Sequence, residues 1–303
     1  MSLIKKRRVF AFAPETTAGT PVSLNVSNGC FSLDPEIQGE IPMHDRVATG
    51  SLSRLPAIPG ARKGKLSVSF ELAGGGSAPE PTWAPLLLMC GMTASSHVYT
   101  FNSNPANYST GTLGVFEGGR YKVLAGAMGT FAIDAQYGQP GMIKFDFEGI
   151  WQPPTDVPMI APPSYSVTPP RFAAATLTIG AFTPRISKFS IEAGNSLKMV
   201  EDPTQLSAYS RCLITDRAVK GKLDPAAELV GTWDAYGLWL AGTTGALNLV
   251  IGGVANNTIT IAAPYLQTAN IQEGAREQLV TDDLDFIAAA TAAGDNEFSI
   301  TFA

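Results

Sequence analysis

The side chains best suited to chemistry in this sequence are two histidines, three cysteines and a few neighbouring carboxylates. His44 is followed by Asp45, but adjacent residues of an extended segment point to opposite sides and cannot close on one metal ion. His97 has no Cys, His or Asp pattern beside it. Cys30, Cys90 and Cys212 lie far apart and form no CxxC pair. Their odd number argues against a disulfide framework and for a reduced compartment. The carboxylates Glu201-Asp202 and Asp282-Asp283 are consecutive, which gives no ground for reading a glycosidase pair. No GxSxG, HExxH or GxxxxGK[ST] occurs, and Gly74-Gly75-Gly76-Ser77 lacks the lysine of a phosphate loop. The sequons at Asn25, Asn107 and Asn256 matter only in a secretory setting. The expectation is no catalytic site, no cofactor and no metal.

Composition points elsewhere. Of 303 residues, 45% are hydrophobic and only 16% are charged, against roughly 25% in ordinary soluble chains. A surface poor in charge suits a protein largely covered by its neighbours. The net charge of −5 is uneven: residues 1–150 hold 12 Lys/Arg and 11 Asp/Glu, residues 151–303 hold 9 and 15. An acidic chain is a poor candidate for tight nucleic-acid binding. Lys5 to Arg8 are followed only by Val9 to Ala13 before Pro14, too short for a signal peptide. The apolar run Pro85 to Met92 is far below the roughly 20 residues that span a bilayer. A soluble protein made in the cytoplasm is expected.

The elements that would carry any site come in two sets. Ala61-Arg62-Lys63-Gly64-Lys65-Leu66 faces Ala218-Val219-Lys220-Gly221-Lys222-Leu223, and Glu71-Leu72 faces Glu228-Leu229. Upstream, Phe31 to Asp34 faces Phe189 to Glu192. Downstream, Thr82-Trp83 faces Thr232-Trp233, Phe131 faces Phe286, and Ile143 to Phe147 faces Phe298 to Phe302. Matches in one order with drifting offsets read as an internal duplication. Between the sets, 151–170 holds seven prolines and reads as an extended linker. At ~3.1 Å per residue it would reach on the order of 50–60 Å.

Each set opens on period-2 residues: Phe31 and Leu33 in the first, Leu177, Ile179, Phe189 and Ile191 in the second. Long polar stretches follow, Gly39 to Gly60 and Gly194 to Thr215. Loops of that length are usually functional. Thr82 to Gly91 reads as a short helix with Thr82 as N-cap, and Thr232 to Gly242 as its counterpart. Phe131 to Phe147 reads as a hairpin about Gly138–Gly141, repeated by Phe286 to Phe302 about Gly294–Asn296. The expected fold is mainly β: two tandem sandwich or barrel units, each with one short helix. The first spans 1–150 with an arm at 1–27, the linker 151–170 and the second unit 171–303. Sheets of this type leave strand edges that a ring-forming protein can join between copies.

Three segments carry a family likeness. Lys6-Arg7-Arg8-Val9 followed by Pro14-Glu15-Thr16-Thr17-Ala18-Gly19-Thr20-Pro21 resembles the opening of tail tube proteins of long-tailed, non-contractile bacteriophages. Gly74 to Gly91 is similar to the family's small-residue run leading into its helix. Gly194-Asn195 with Ile214-Thr215-Asp216-Arg217 resembles a later pattern. The resemblance implies subunits in rings, rings stacked into a hollow tube, and double-stranded DNA passing through without specific binding. It implies tape-measure, tail terminator and distal tail proteins as partners, a place in the virion tail after assembly in the host cytoplasm, and no membrane. Family rings usually hold six single units, so two units per chain predict trimers with pseudo-sixfold symmetry. The polar stretches would reach the adjacent ring through Asp45, Arg46 and Arg54, and through Lys198, Glu201, Asp202 and Arg211. Glu273, Glu277, Asp282, Asp283 and Asp285 would line an acidic channel that repels DNA. The basic start reads as a solvated or ring-contacting arm. A tail terminator, a head–tail connector, a decoration protein and a carbohydrate-binding sandwich are the other readings.

Overall fold

The computed structural model describes residues 3–47, 49–50, 52–164 and 167–303. Met1 and Ser2 of the expected arm, Ala48 and Ser51 of the first polar stretch, and Tyr165 and Ser166 of the expected linker lie outside the described residues. The fold is mainly β. The first half supplies β1 (Arg8–Pro14), β2 (Gly29–Cys30), β3 (Leu33–Glu40), β4 (Met43–Val47), β5 (Arg54–Pro59), β6 (Lys63–Glu71), β7 (Met92–Ser95), β8 (Val98–Phe101), β9 (Gly111–Glu117), β10 (Arg120–Gln136) and β11 (Met142–Asp156). The second supplies β12 (Thr176–Ile179), β13 (Lys188–Glu192), β14 (Ser196–Glu201), β15 (Tyr209–Asp216), β16 (Lys220–Leu223), β17 (Thr244–Ile251), β18 (Ile259–Arg276), β19 (Leu279–Ala288) and β20 (Ser299–Phe302).

Among the described residues all strand pairs are antiparallel, and sixteen strands share one sheet. In the first half the pairing runs β1-β9-β10-β11-β6-β3. In the second it runs β12-β17-β18-β19-β16-β13, the same order. A two-stranded hairpin projects at the same place in each, β4–β5 between β3 and β6, and β14–β15 between β13 and β16. A short helix follows β6 as a 3₁₀ turn, Ala84–Cys90, and follows β16 as α1, Ala235–Leu240.

The halves are joined twice through the backbone. The end of β10, Ala132 to Gln136, pairs with β13. At the other junction β20 lies between β18 and β8. A single apolar core runs through both, from Phe10 and Phe70 to Phe286 and Ile300. Trp83 meets Phe302 edge-on at 5.5 Å, so the last strand of the chain covers the first helix. Edge-to-face packing of that kind adds about 0.5–1.5 kcal/mol beyond burial.

Several sequence expectations are corrected. The two long polar stretches are hairpins, because their short runs of β-branched and long residues pair across the stretch instead of looping. The expected linker starts late: β11 continues through Trp151 to Asp156, since Leu124 and Tyr121 of β10 still find partners there. The expected arm contains β1, which is buried and paired along its length with β9. In the opening strand the inward residues are Pro35 and Ile37, not Phe31 and Leu33. Thr82 does not cap the first helix; its Oγ1 lies 3.3 Å from Cys30 Sγ, and Trp83 occupies the cap position. Asp234, not Thr232, caps α1 by accepting from Gly237 N at 2.7 Å. Finally, β19 and β20 form no hairpin. Residues 289–298 make an excursion held by Arg217, which bonds Asp295 and Glu297. β20 then returns beside β18, where the counterpart of late β11 belongs.

The repeated Lys-Gly-Lys-Leu has a packing cause. Leu66 and Leu223 enter the core, and the lysines point to the opposite face. The glycines sit where neighbours cross closely. A Cβ on Gly64 would come 2.7 Å from Leu124 Cδ2, and one on Gly221 would collide with the Ser190 carbonyl oxygen and the Phe286 ring. Gly221→Val is therefore expected to cost about 1–3 kcal/mol through overpacking, read as a lowered midpoint in thermal or urea unfolding.

Candidate functional site

The strands β3-β6-β11-β10-β13-β16-β19-β18 form one continuous wall through both halves. Period-2 alternation gives it an apolar face and a polar face. Leu66, Val68, Phe70, Phe145, Phe147, Phe131, Ile133, Phe189, Ile191, Leu223, Leu284 and Phe286 fill the core side. Their neighbours point the other way. Three hollows of about 460, 500 and 580 Å³ open on that polar face.

The polar face carries Glu36, Glu40, Glu71, Asp134, Asp146, Glu148, Glu192, Asp283 and Asp285 against Lys63, Lys65, Lys144, Lys188, Lys220 and Lys222. Carboxylates exceed lysines by three. Most lysines are neutralised where they stand: Lys63 by Glu148 at 3.1 Å, Lys144 by Asp146 at 3.0 Å, Lys220 by Glu192 at 3.0 Å and Lys222 by Asp285 at 3.1 Å. Burial, and then the nearby Glu192, hold the Asp134 carboxyl above the usual range. Such a face offers little free cation to a polyanion.

The wall ends in two open edges. One is β3, which among the described residues pairs only with β6. The other is the end of β18. Its first half is flanked by β17 and β20, but beyond Gln267 it has β19 on one side and, among the described residues, no strand on the other. Orientation follows from neighbouring bonds. Asp282 N donates to Pro225 O, so the even residues of β19 face away from β18. The opposed pairs Gln272–Asp283 and Gly274–Thr281 therefore bond each other, and Glu273 and Ala275 turn their backbone groups to the open side. In the same way Leu72 N bonds Gly141 O, which leaves Ile37 and Gly39 of β3 facing outward. Within the chain, the corresponding edges are already joined: Ala193 N donates to Phe131 O at the β10–β13 junction.

The expected stacking residues lie on the two hairpins. Asp45 and Arg54 pair at 3.3 Å on exposed β4–β5, and Arg46 stands opposite Leu55. Lys198 and Glu201 are exposed on β14, and Arg211 is half-buried on β15. Asp202 is spent locally, accepting from Thr204 N at 2.9 Å and Oγ1 at 2.6 Å, which holds its carboxyl low. Each turn exposes one leucine fully, Leu52 and Leu206. Of the expected channel acids, the structure places Asp283 and Asp285 together on the polar face. Asp282 points to the other side and accepts from Tyr236 Oη at 3.0 Å. Glu273 stands opposite Asp282, and Glu277 forms the β18–β19 turn at φ 56°. Sequence reading missed Asp134, Glu192 and the wall lysines. Their signal was charge at every second residue within apolar strands.

The segments that carried the family likeness are tied to this wall. The Glu15 carboxylate accepts from Gly19 N, Thr110 Oγ1, Thr112 Oγ1 and Gly126 N, all within 2.9 Å, and folds the following turn onto β9 and β10. Buried Asn195 donates to Cys90 O and Gly129 O, fastening the second hairpin's root to the first helix. Arg8, Arg120 and Lys122 close on the buried carboxylate of Glu117, so the basic start is part of the sheet from Arg8 onward. His97 Nδ1 lies 3.1 Å from Glu80 Oε1. No group of three or more His, Cys, Asp or Glu able to hold a metal occurs among the described residues. No helix among them is long and apolar enough to cross a membrane.

The comparison with curated proteins returns no match. The comparison with family models does: the model described as phage tail tube protein matches residues 5–288. That span takes in the wall, both its edges and both hairpins, and it stops at the last residue of β19. With nearly the whole chain matched, and the mainly β sheet that its sequence implied, this chain belongs to the phage tail tube proteins.

Proposed function

We propose that this chain is the repeating structural subunit of a tail tube, and that three copies close each ring. The observation that carries the reading is the β10–β13 junction. There the wall of one half continues into the wall of the other by edge pairing. The order of strands is the same in both halves, which supports an internal duplication. The same join is then available between chains: the open end of β18 takes the place of β10, and β3 of the next copy takes the place of β13. Such a head-to-tail contact is heterologous and closes when the rotation fits. Two wall segments per chain make six in a trimer.

In this arrangement the polar face lines the channel. Most of its lysines are paired and its carboxylates are in excess, so DNA slides past without being held. Asp283 and Asp285 are the channel-lining acids we retain. The hairpin turns, with Leu52, Leu206 and the charged residues beside them, reach the adjacent ring. The exposed Asp45–Arg54 pair lies within one hairpin and is worth only ~0–1 kcal/mol. The role is structural, in the virion tail, and no residue is assigned to catalysis. Assembly in the host cytoplasm with tape-measure, terminator and distal tail proteins follows from the family.

The test is imaging of the purified chain by negative-stain electron microscopy over a concentration series. Rings and stacked hollow tubes are the expected result. A single ring that never stacks would favour a terminator or connector.

A further inference from the structure

We infer that the β4–β5 hairpin docks, through the face that carries Val47, on the β18–β19 surface around Ile287 of a second copy in the same ring. The inference rests on the ring reading above and adds a contact that edge pairing alone does not supply.

The template is inside the chain. The β14–β15 hairpin folds back on β10 and β11, where Met199, Cys212 and Ile214 close an apolar cluster with Met128 and Ile150. The strand pairings fix which residues correspond. Gly64 lies opposite Gly39 and Gly149, and Gly221 lies opposite Ile191 and Phe286. Counting from these, Ile150 corresponds to Ile287 and Met128 to Asn270. Counting along the first strand of each hairpin, Val47 corresponds to Met199. Val47 shares its face with Arg54, while Leu55 stands opposite Arg46 on the other face.

Burial separates the two sets. Met199 is 7% exposed, whereas Val47 is 89% exposed. On the receiving side, Ile150 is 4% exposed and Ile287 is 43% exposed. One hairpin and its seat are therefore closed, while the other hairpin and the other seat are both bare. They cannot meet within one chain, because β3 and β18 stand at opposite ends of the wall. A second copy joined by the β18–β3 edges brings that seat beside that hairpin. An isolated two-stranded hairpin is marginal in water, and this one carries Met43, Val47, Leu55 and Ile58 in the open. Ile287 is likewise an apolar residue on an otherwise polar face.

The experiment is cysteine cross-linking of the full chain carrying Val47→Cys and Ile287→Cys, with each single variant as control. The three native cysteines are buried. Both substituted positions are exposed, so folding is preserved, and circular dichroism checks it. Under mild oxidation the double variant is expected to give a covalent ladder that stops at the number of chains in one ring, with the single variants giving none. Rings visible in the microscope without a ladder would overturn the docking and leave the ring reading standing. A ladder running beyond one ring would place the contact between rings and overturn the inference as stated. Absence of both rings and ladder would sink the docking together with the ring reading.

Discussion

Ala275→Pro is expected to give a folded monomer that no longer forms rings. The backbone N–H of Ala275 points away from β19, toward the side of β18 where no strand pairs among the described residues. Proline is tolerated on that side of an edge strand, so the monomer keeps its circular dichroism and its unfolding midpoint within about 0.5 kcal/mol. In the ring the same N–H must meet the outward groups of β3, Ile37 or Gly39. Losing that bond, together with the clash of the pyrrolidine ring, costs about 3 kcal/mol. That is roughly a hundredfold weaker contact at each junction. Gly274→Pro is the informative opposite. Its N–H bonds toward Thr281, so this change breaks the β18–β19 ladder and destabilises the monomer itself. Sedimentation velocity with thermal unfolding reads both. Normal rings from Ala275→Pro would show that the open end of β18 is not the joining edge.

Glu117→Ala is the second large effect. The carboxylate is nearly inaccessible, at 4% exposure, and collects Arg120 at 2.5 Å, Arg8 at 2.6 Å and Lys122 at 3.3 Å. Burial pushes its pKa up, but the bonds from Arg120, Arg8 and Lys122 outweigh burial and hold it at about 2, against an ordinary value of 4.5. Removing it strands three cations at the meeting of β1, β9 and β10, at a cost of about 3–5 kcal/mol. The pH dependence has a definite sign. A carboxyl whose pKa is lower in the folded state stabilises the fold above its unfolded value of 4.5. That contribution is lost as pH falls from there toward about 2. Urea midpoints measured between pH 7 and pH 2 should fall for the parent, and the gap between parent and Glu117→Ala should narrow across that window. A gap independent of pH would show that Glu117 acts by packing alone.

Much of this could be read from the chain. Alternation in Lys63 to Glu71, Phe131 to Ala135 and Ile143 to Phe147 marks strands whose apolar side is buried. The repeated Lys-Gly-Lys-Leu marks two strands in equivalent places. What stayed hidden depends on long-range pairing. Gly39 to Gly60 reads as a loop because its hairpin lacks a buried face of its own. The end of the chain reads as a hairpin because Phe286 and Phe298 flank a Gly-Asp-Asn turn. Only the bonds of Arg217 to Asp295 and Glu297 redirect β20 to β18. The wall charges were visible as residues, yet not as a surface. Lys220 and Glu192 become partners only when β13 and β16 align. Of the consecutive acids Asp282 and Asp283, the pleat sends just the second to the polar face.

On the proposed assembly one chain supplies two wall segments, and rings close by joining β18 to β3. Mass per ring tests it most directly, by native mass spectrometry or light scattering on isolated rings, with rotational averaging of their images. Three chains per ring and six similar segments around the channel are expected. Six chains in a ring would contradict the assembly.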